Sequence, residues 1–186
     1  MGQNENQRVM LTKRLLKESL IRLMSDKEIQ KISISELCKD AGINRVTFYN
    51  HYNTPYDLLR DIEKTMVKEA HDIWSDTKIN EPMLLNKRIA AVCRYFQDNR
   101  EVARLIFQNN TAKSDFSSEL IRIEYPWNKL FSKVYGEAGC PLLMTFISNG
   151  AYSAVQQWLL EDNPKTPEEM GEMLSETIFH GILGLN

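Results

Sequence analysis

One glycine between two short amphipathic segments constrains the fold of this chain more than any other feature. The segment before Gly42 carries apolar residues at the spacing of one helical face, namely Ile34, Leu37, Cys38 and Ala41. Glycine readily adopts the left-handed backbone conformation that ends a helix, so we expect a tight turn at Gly42. Two short helices joined by such a turn form a helix-turn-helix.

Residues that can cap a helix precede both segments. Ser33 or Ser35 can cap the first helix, and Glu36 follows Ser33 by three residues, as in a capping box. Asn44 can cap the second helix, which we expect to span residues 45–52. Because the second helix of a helix-turn-helix lies in the major groove of DNA, this stretch predicts a DNA-binding motif.

The turn belongs to a longer string of residues, which reads Ala41-Gly42-Ile43-Asn44, Thr47-Phe48-Tyr49, His51-Tyr52 and Leu58-Leu59. That order resembles the DNA-binding signature of the TetR/AcrR family of transcriptional regulators. The resemblance covers residues 8–62, about a third of the chain. It implies an all-α fold of about nine helices. In that fold an N-terminal three-helix helix-turn-helix domain is joined by a long helix to a helical regulatory and dimerisation bundle.

Helical period and resemblance together assign the DNA-binding residues. Phe48 and Tyr52 are four residues apart and should face inward. The outward residues suit base contacts, because arginine reads guanine, asparagine reads adenine, and the methyl groups of valine and threonine touch thymine. The resemblance implies phosphate or base contacts for Thr47, Tyr49 and His51, although His51 could instead hydrogen-bond within its own domain. We predict DNA contacts from Ser33, Ser35, Arg45, Val46, Thr47, Tyr49, Asn50, His51 and Thr54.

One position departs from the family pattern. The family usually has a lysine at the start of the next helix, where this chain has Pro55. Proline suits a first helical turn that Thr54 caps, but the phosphate-binding ammonium is lost. The Thr54 hydroxyl and the helix N-terminus can still meet a phosphate, less strongly. We therefore expect operator affinity below the family's usual level, unless other basic residues compensate.

The distribution of charge agrees with DNA binding by the N-terminal part. Residues 1–60 carry a net charge of +3 and residues 61–186 carry −5, which gives the −2 of the whole chain. The basic residues thus coincide with the helix-turn-helix, as phosphate contact requires. A solvated surface would explain so small an asymmetry almost as well.

The rest of the chain predicts helices throughout. We expect residues 1–7 to be disordered and a first helix to begin near Arg8. An apolar pattern without glycine or proline predicts one long helix over about 55–77. This helix would join a DNA-binding domain, residues 8–62, to an effector-binding and dimerisation domain, residues 63–186.

Prolines and glycines are expected to interrupt the C-terminal helices. Pro126 predicts a kink within a helical stripe over 116–134, and the stretch from Gly136 to Pro141 predicts a break. Further helices are expected over 143–160 and, with Thr166 as its cap, over 168–184.

Apolar residues on more than one face of the 143–160 segment predict burial against two partners at once. Its small residues would let another helix approach closely, so we expect the last two helices to form a four-helix bundle with a second copy. The predicted dimer-interface residues are Gly150, Ala151, Ala154, Trp158 and Ile178. A two-fold dimer would require a roughly palindromic operator.

Aromatic residues of the C-terminal part predict a pocket for a small apolar effector. The candidate lining residues are Phe96, Phe107, Trp127, Phe131 and Tyr152. Packing of the same rings in an ordinary core is the alternative.

The sequence holds no pattern typical of an enzyme, a metal site or a cofactor site. The three histidines, His51, His71 and His180, are scattered along the chain. The three cysteines are far apart in sequence, which favours free thiols in a reducing cytoplasm over a disulfide or zinc framework. No apolar run approaches the length of a membrane span. We expect a cytoplasmic protein that is not an enzyme and has no cofactor.

These patterns predict a homodimeric, sequence-specific transcription regulator, acting as a repressor on a palindromic operator and released by a small effector. The alternative is a helical co-regulator or adaptor that acts through protein–protein contacts and has weak or no direct DNA binding. Pro55, in place of the usual lysine, keeps this alternative open.

Overall fold

The computed structural model of this chain is all-α in the part that it describes, residues 2–76, 84–108, 116–121, 127–162 and 165–182. Only the backbone is described for residues 2–5, 76, 121, 127–140 and 182. The described helices are α1 (Gly2–Asp26), α2 (Ile34–Ala41), α3 (Arg45–Tyr49), α4 (Pro55–Asp76), α5 (Leu85–Asp98), α6 (Arg100–Gln108), α7 (Phe116–Ile121), α8 (Trp127–Leu160) and α9 (Pro167–Glu176). For these described residues, the predicted all-α class and the predicted number of about nine helices are confirmed.

The chain divides into two compact units, and the boundary falls within α4, between Met66 and Val67. The first unit contains α1 to α3 and the beginning of α4 around one apolar core. Its most deeply buried side chains are Leu16, Leu20, Leu37, Phe48 and Leu58. The buried Ser19 hydroxyl donates a hydrogen bond to the Leu37 carbonyl at 3.2 Å, which ties α1 to α2.

The first helix begins earlier than the sequence predicted. We expected disorder over residues 1–7, but α1 starts at Gly2. Glutamine and glutamate have favourable helix propensities, and no glycine or proline follows Gly2 within the helix. Once the segment from Arg8 is helical, its N-terminal neighbours can extend that helix without a second nucleation step.

The turn and caps of the helix-turn-helix form as predicted. Gly42 ends α2 in the left-handed conformation, with φ 66° and ψ 27°. Ser33 accepts a hydrogen bond from the Glu36 amide at 3.2 Å, and Asn44 accepts one from the Val46 amide at 2.9 Å. Helix α3 is shorter than expected, because regular helix ends at Tyr49 and a turn follows.

The long helix α4 is continuous over Pro55–Asp76, close to the predicted 55–77. Thr54 caps it, since its hydroxyl oxygen accepts a hydrogen bond from the Asp57 amide at 3.2 Å. Residues 77–83, which follow α4, lie outside the described residues.

The predicted break at Gly136 to Pro141 is wrong, because α8 runs through Pro141. A proline inside a helix removes one backbone hydrogen bond and clashes with the preceding turn, at a cost of about 3 kcal/mol. The next turns of α8 pack into the second unit, where Ile147 is buried, and such tertiary packing outweighs local propensity. The kink predicted at Pro126 lies outside the described residues.

Helices α5 and α9 approach each other closely in the second unit. A Cβ on Gly171 of α9 would lie 2.3 Å from the backbone oxygen of Asn86 in α5, so this contact requires glycine. Thr166 caps α9 as predicted, in a complete capping box with Glu169. Beyond α9 the chain continues as a π-helical turn, Thr177–Ile182.

Candidate nucleic-acid interface

The outward face of α3 combines polar side chains with exposed apolar surface. Phe48 and Tyr52 are buried in the first unit, as the helical period predicted. Arg45 and Asn50 are exposed, and so are 68% of Val46 and 56% of Tyr49. Val46 and Tyr49 are three residues apart and so lie side by side on the helix, where they form exposed apolar surface of the kind found at interaction sites.

The other predicted DNA-binding residues surround this face. Thr47 and His51 are half-buried, whereas Ser33, Ser35 and Thr54 are exposed. Ser33 and Thr54 act as helix caps. Ser35 accepts a hydrogen bond from the Arg45 guanidinium across the turn.

The beginning of α4 carries a carboxylate, Asp57, two residues after Pro55. The Asp57 carboxylate accepts hydrogen bonds from the backbone amides of Asn53, at 3.1 Å, and Thr54, at 2.9 Å. These amides are therefore satisfied by the chain itself, and a carboxylate repels phosphate. This arrangement makes the phosphate contact predicted for Thr54 less favourable, and that contact stays a prediction. The Thr54-to-Asp57 spacing, typical of a capping pair, was the sequence signal for this arrangement.

A polar network fixes the end of α3 to α1 and α4. The Tyr52 hydroxyl donates to Asp61 at 2.7 Å, and Lys17 forms an ion pair with Asp61 at 3.1 Å. The ammonium of Lys13 lies 5.5 Å from the centre of the Tyr52 ring. Sequence reasoning missed this network, because nothing in the one-dimensional pattern relates Lys17 to Asp61.

The network shifts the titration of both acidic members. Burial, with the hydrogen bond to Asp61 and its negative charge, raises the pKa of Tyr52. Burial also acts to raise the pKa of Asp61, but the hydrogen bonds from Tyr52 and Lys17, with the lysine charges, outweigh it and leave that pKa lowered. Tyr52 thus stays neutral and Asp61 stays charged near neutral pH, which preserves the polar network between them and Lys17.

An apolar cavity of about 810 Å³, counted with its opening to solvent, lies inside the second unit. Of the predicted effector-pocket residues, Phe96, Phe107 and Tyr152 line it, whereas the side chains of Trp127 and Phe131 lie outside the described residues. Sequence reasoning missed the contributions of α4 and α9. The further lining residues are Trp74, Leu85, Ile89, Val92, Cys93, Leu120, Met144, Ile147, Ser148, Ala151, Val155, Leu174 and Ile178.

The described wall of this cavity is almost entirely apolar. Every lining side chain named above is uncharged, and the Ser148 hydroxyl and Cys93 thiol are among its few polar groups. Burial raises the pKa of Cys93 to about 12, which keeps the thiol protonated and unreactive at neutral pH. Such a wall suits an apolar molecule better than a charged one.

Three of the predicted dimer-interface residues pack within the chain itself, and their contact with a partner stays a prediction. Trp158 is only 3% exposed, and its indole nitrogen donates to the Lys165 carbonyl at 2.6 Å. Ile178 is buried and lines the cavity, as does the half-buried Ala151. Apolar periodicity alone could not separate burial within the chain from burial against a partner.

A different stripe of α8 is exposed. Phe146 is 67% exposed, and Leu142 and Gly150, four residues to either side of it, are exposed as well. Met173 of α9 is a further exposed apolar side chain, and Ala154 is half-buried.

Metal-binding clusters and membrane-spanning helices are both absent from the residues that the structure describes. No group of three or more histidine, cysteine, aspartate or glutamate side chains there could hold a metal ion. No helix in that part of the chain is long and apolar enough to cross a membrane.

A capped helix-turn-helix with an exposed second helix, followed by a helical unit around an apolar cavity, defines a helix-turn-helix regulator. Residues 85–180, just over half of the chain, match the TetR model for a transcriptional regulator C-terminal region. The chain belongs to the TetR family of transcriptional regulators.

Individual relatives agree with this membership. The uncharacterized HTH-type transcriptional regulator YxbF of Bacillus subtilis (strain 168) is 21% identical over 186 residues, covering 91% of this chain. This chain spans only 46% of the length of that relative.

Solved structures show the same fold. A TetR transcriptional regulator from Streptococcus agalactiae 2603V has a TM-score of 0.71 at 17% identity, over 96% of this chain and 99% of its own. A regulator of the same family from Aquifex aeolicus VF5 has a TM-score of 0.63 at 17% identity, over 90% and 98%.

Proposed function

We propose that this chain is a sequence-specific DNA-binding regulator that represses transcription from a palindromic operator as a homodimer. The observation that carries the proposal is the outward face of α3. Its caps hold a short helix rigidly over buried Phe48, with Arg45, Tyr49 and Asn50 directed outward.

The exposed residues divide by the contacts that their chemistry allows. Arg45 can bind a guanine through two hydrogen bonds, and Asn50 can do the same with an adenine. The methyl groups of Val46 suit a thymine methyl. Tyr49 and His51 suit the phosphate backbone, which fixes the position of the helix but carries no sequence information.

The exposed stripe of α8 supports the dimer. Leu142, Phe146 and Gly150 follow one another at a spacing of four residues, as on one face of a helix. The glycine, which has no atom within 4 Å of an added Cβ, leaves room for another helix to approach. A second copy meeting this stripe would present two recognition helices with two-fold symmetry.

The apolar cavity supports control by a small apolar effector. Trp74 of α4 lines the cavity, and α4 continues without interruption into the first unit. An effector that binds one conformation better than another would change the position of α4 and thereby the DNA affinity. Such coupling is typically worth about 1–3 kcal/mol.

A helical adaptor is the second candidate. The exposed Val46 and Tyr49 side chains would also suit a protein surface, and the Asp57 carboxylate disfavours phosphate. An adaptor would bind its partner without a strong dependence on salt.

DNA binding across a salt series separates the two candidates. We expect the purified protein to bind DNA from upstream of its own gene specifically, with an affinity that falls as salt increases. Arg45→Ala should cost about 1–3 kcal/mol and relax the preference at one base pair in each half-site. The matched control is Arg94→Ala, which removes an equal charge from an exposed position of the second unit. Absence of binding at low salt would favour the adaptor.

A further inference from the structure

The Arg45 side chain is held from outside its own helix. Arg45 is the first residue of α3, and its Nη2 donates a hydrogen bond to the hydroxyl of Ser35 in α2, ten residues earlier. Both residues are exposed, so the contact lies at the surface that α3 presents. Gly42 makes the contact possible, because its left-handed turn brings α3 back beside the beginning of α2.

Neither helix needs the Ser35 hydroxyl for its own capping. The Ser33 side chain caps α2, and the Asn44 side chain caps α3. Ser35 therefore differs from the nearby Ser33, whose hydroxyl caps α2. Its hydroxyl is committed to the guanidinium of Arg45 instead.

A fixed guanidinium reads a base more selectively than a mobile one. An arginine side chain has several rotatable bonds, and holding it in one geometry reduces the rotamer freedom that must be lost on binding. A guanidinium has five N–H donors, so one bond to Ser35 leaves enough for a bidentate contact to guanine.

We propose that Ser35 is a positioning residue, which sets the direction of the Arg45 guanidinium before DNA arrives and thereby sharpens base discrimination. This inference rests on the proposed DNA-binding function. It changes the role predicted for Ser35 from the sequence, because a direct phosphate contact would strengthen binding to all DNA sequences alike.

A double-mutant cycle tests the proposal. The wild type, Ser35→Ala, Arg45→Ala and the double variant are each measured against the preferred operator and against operators changed at the base pair where Arg45→Ala relaxes the preference. Ser35→Ala should reduce the discrimination ratio at that base pair at least about threefold, within the range of coupling found for contacting residues. In the Arg45→Ala background it should have no further effect. Ser35→Thr, which retains the hydroxyl, should restore the ratio.

Two controls keep the outcome interpretable. The melting temperature of Ser35→Ala should match that of the wild type, because alanine is favourable within a helix and the Ser33 cap remains. Order in the Arg45 side chain, measured by NMR relaxation of its Nε–H in the free protein, should fall in Ser35→Ala.

Each adverse result points to a different error. A loss of affinity that is equal for all sequences and persists without Arg45 would make Ser35 a phosphate contact and overturn its positioning role. An unchanged ratio in Ser35→Ala, beside a relaxed preference in Arg45→Ala, would overturn the same role and leave the proposed function intact. Absence of specific binding by the wild type would overturn both.

Discussion

Asp57 has a clear consequence for affinity at the scale of single residues. Its carboxylate lies at the start of α4, where it accepts hydrogen bonds from two backbone amides, one of them that of Thr54, for which we predict a phosphate contact. Asp57→Asn keeps an oxygen acceptor for those amides and removes the charge. Affinity should therefore rise about two- to fivefold at moderate salt, equally for operator and unrelated DNA.

The matched control for this substitution is Asp72→Asn in the second unit, whose carboxylate pairs with Lys68 on the exposed side of α4. It should leave the DNA affinity unchanged. A gain confined to Asp57→Asn would locate the repulsion at the beginning of α4. A gain in neither variant would mean that Asp57 does not approach the phosphates.

Two phenols, the buried Tyr52 and the half-buried Tyr95, give a prediction that needs no DNA. Burial and a hydrogen bond to Asp61 raise the pKa of Tyr52, and burial and a hydrogen bond to Glu69 raise that of Tyr95. The fold favours the neutral phenol at both positions. This contribution to stability is complete below pH 10, the ordinary pKa, and is lost only as pH rises through the raised values.

Ultraviolet titration of phenolate absorbance checks this prediction. Tyr52 and Tyr95 should ionise in a late phase, and Tyr52→Phe or Tyr95→Phe should each remove part of that phase. A late phase that both variants retain in full would contradict the assignment.

At the scale of single residues, a contact could be predicted from the sequence when its two residues are close in the chain. The caps Ser33, Asn44 and Thr54 were readable from the sequence because each acts within three residues. The bond between Arg45 and Ser35 was not, since it depends on how the turn returns the chain across ten residues.

The contact between α5 and α9 gives a prediction at the scale of elements. A methyl group on Gly171 would lie 2.3 Å from the Asn86 backbone oxygen, and a backbone atom in a helix cannot yield as a flexible side chain can. Gly171→Ala should therefore lower the free energy of unfolding by about 1–3 kcal/mol, as overpacking does.

Urea unfolding would measure this change. Gly181→Ala is the control, because the nearest atom to its added Cβ is 3.9 Å away and it should be close to neutral. Equal stabilities for the two variants would show that α5 and α9 separate at no cost.

Helices were predicted better than their ends. The uninterrupted pattern from Pro55 predicted α4 closely, because amphipathic period persists over many turns. The break expected before Leu143 was wrong, since Pro141 affects one local hydrogen bond and the packing of the following turns decides the outcome. Local sequence signals thus predict regular helices well. They predict poorly where packing allows a proline inside a helix.

The exposed stripe of α8 gives a prediction for the whole molecule. Phe146→Glu places a charge in the middle of the proposed dimer surface, where no counter-charge is expected. The variant should sediment as a monomer at micromolar concentration and lose specific operator binding. Sedimentation velocity and anisotropy titration would measure the two losses.

Met10→Glu is the matched control, because Met10 is 71% exposed in the first unit and has similar apolar character. It should leave the oligomeric state unchanged. A wild-type protein that sediments as a monomer would contradict the proposed dimer, whatever the variants do.

The cavity shows the limit of prediction at this scale. Sequence reasoning selected aromatic residues, and Phe96, Phe107 and Tyr152 do line the cavity. It could not add Trp74 or Leu174, because the walls of a cavity are set by which helices converge. It also predicted a partner contact for Ile178, whose side chain is buried within the chain and lines the cavity.

Helix α8 carries cavity residues such as Ile147 and Ser148 on one face and the exposed Phe146 on another. If the exposed face contacts a second copy, one face of α8 is selected for ligand binding and the other for assembly, although both depend on the same backbone. A shift of α8 to fit a new ligand would then disturb assembly in both subunits at once. New ligand specificities should therefore arise first through side-chain replacements on α5 and α9, while the backbone path of α8 persists across descendants that recognise different molecules.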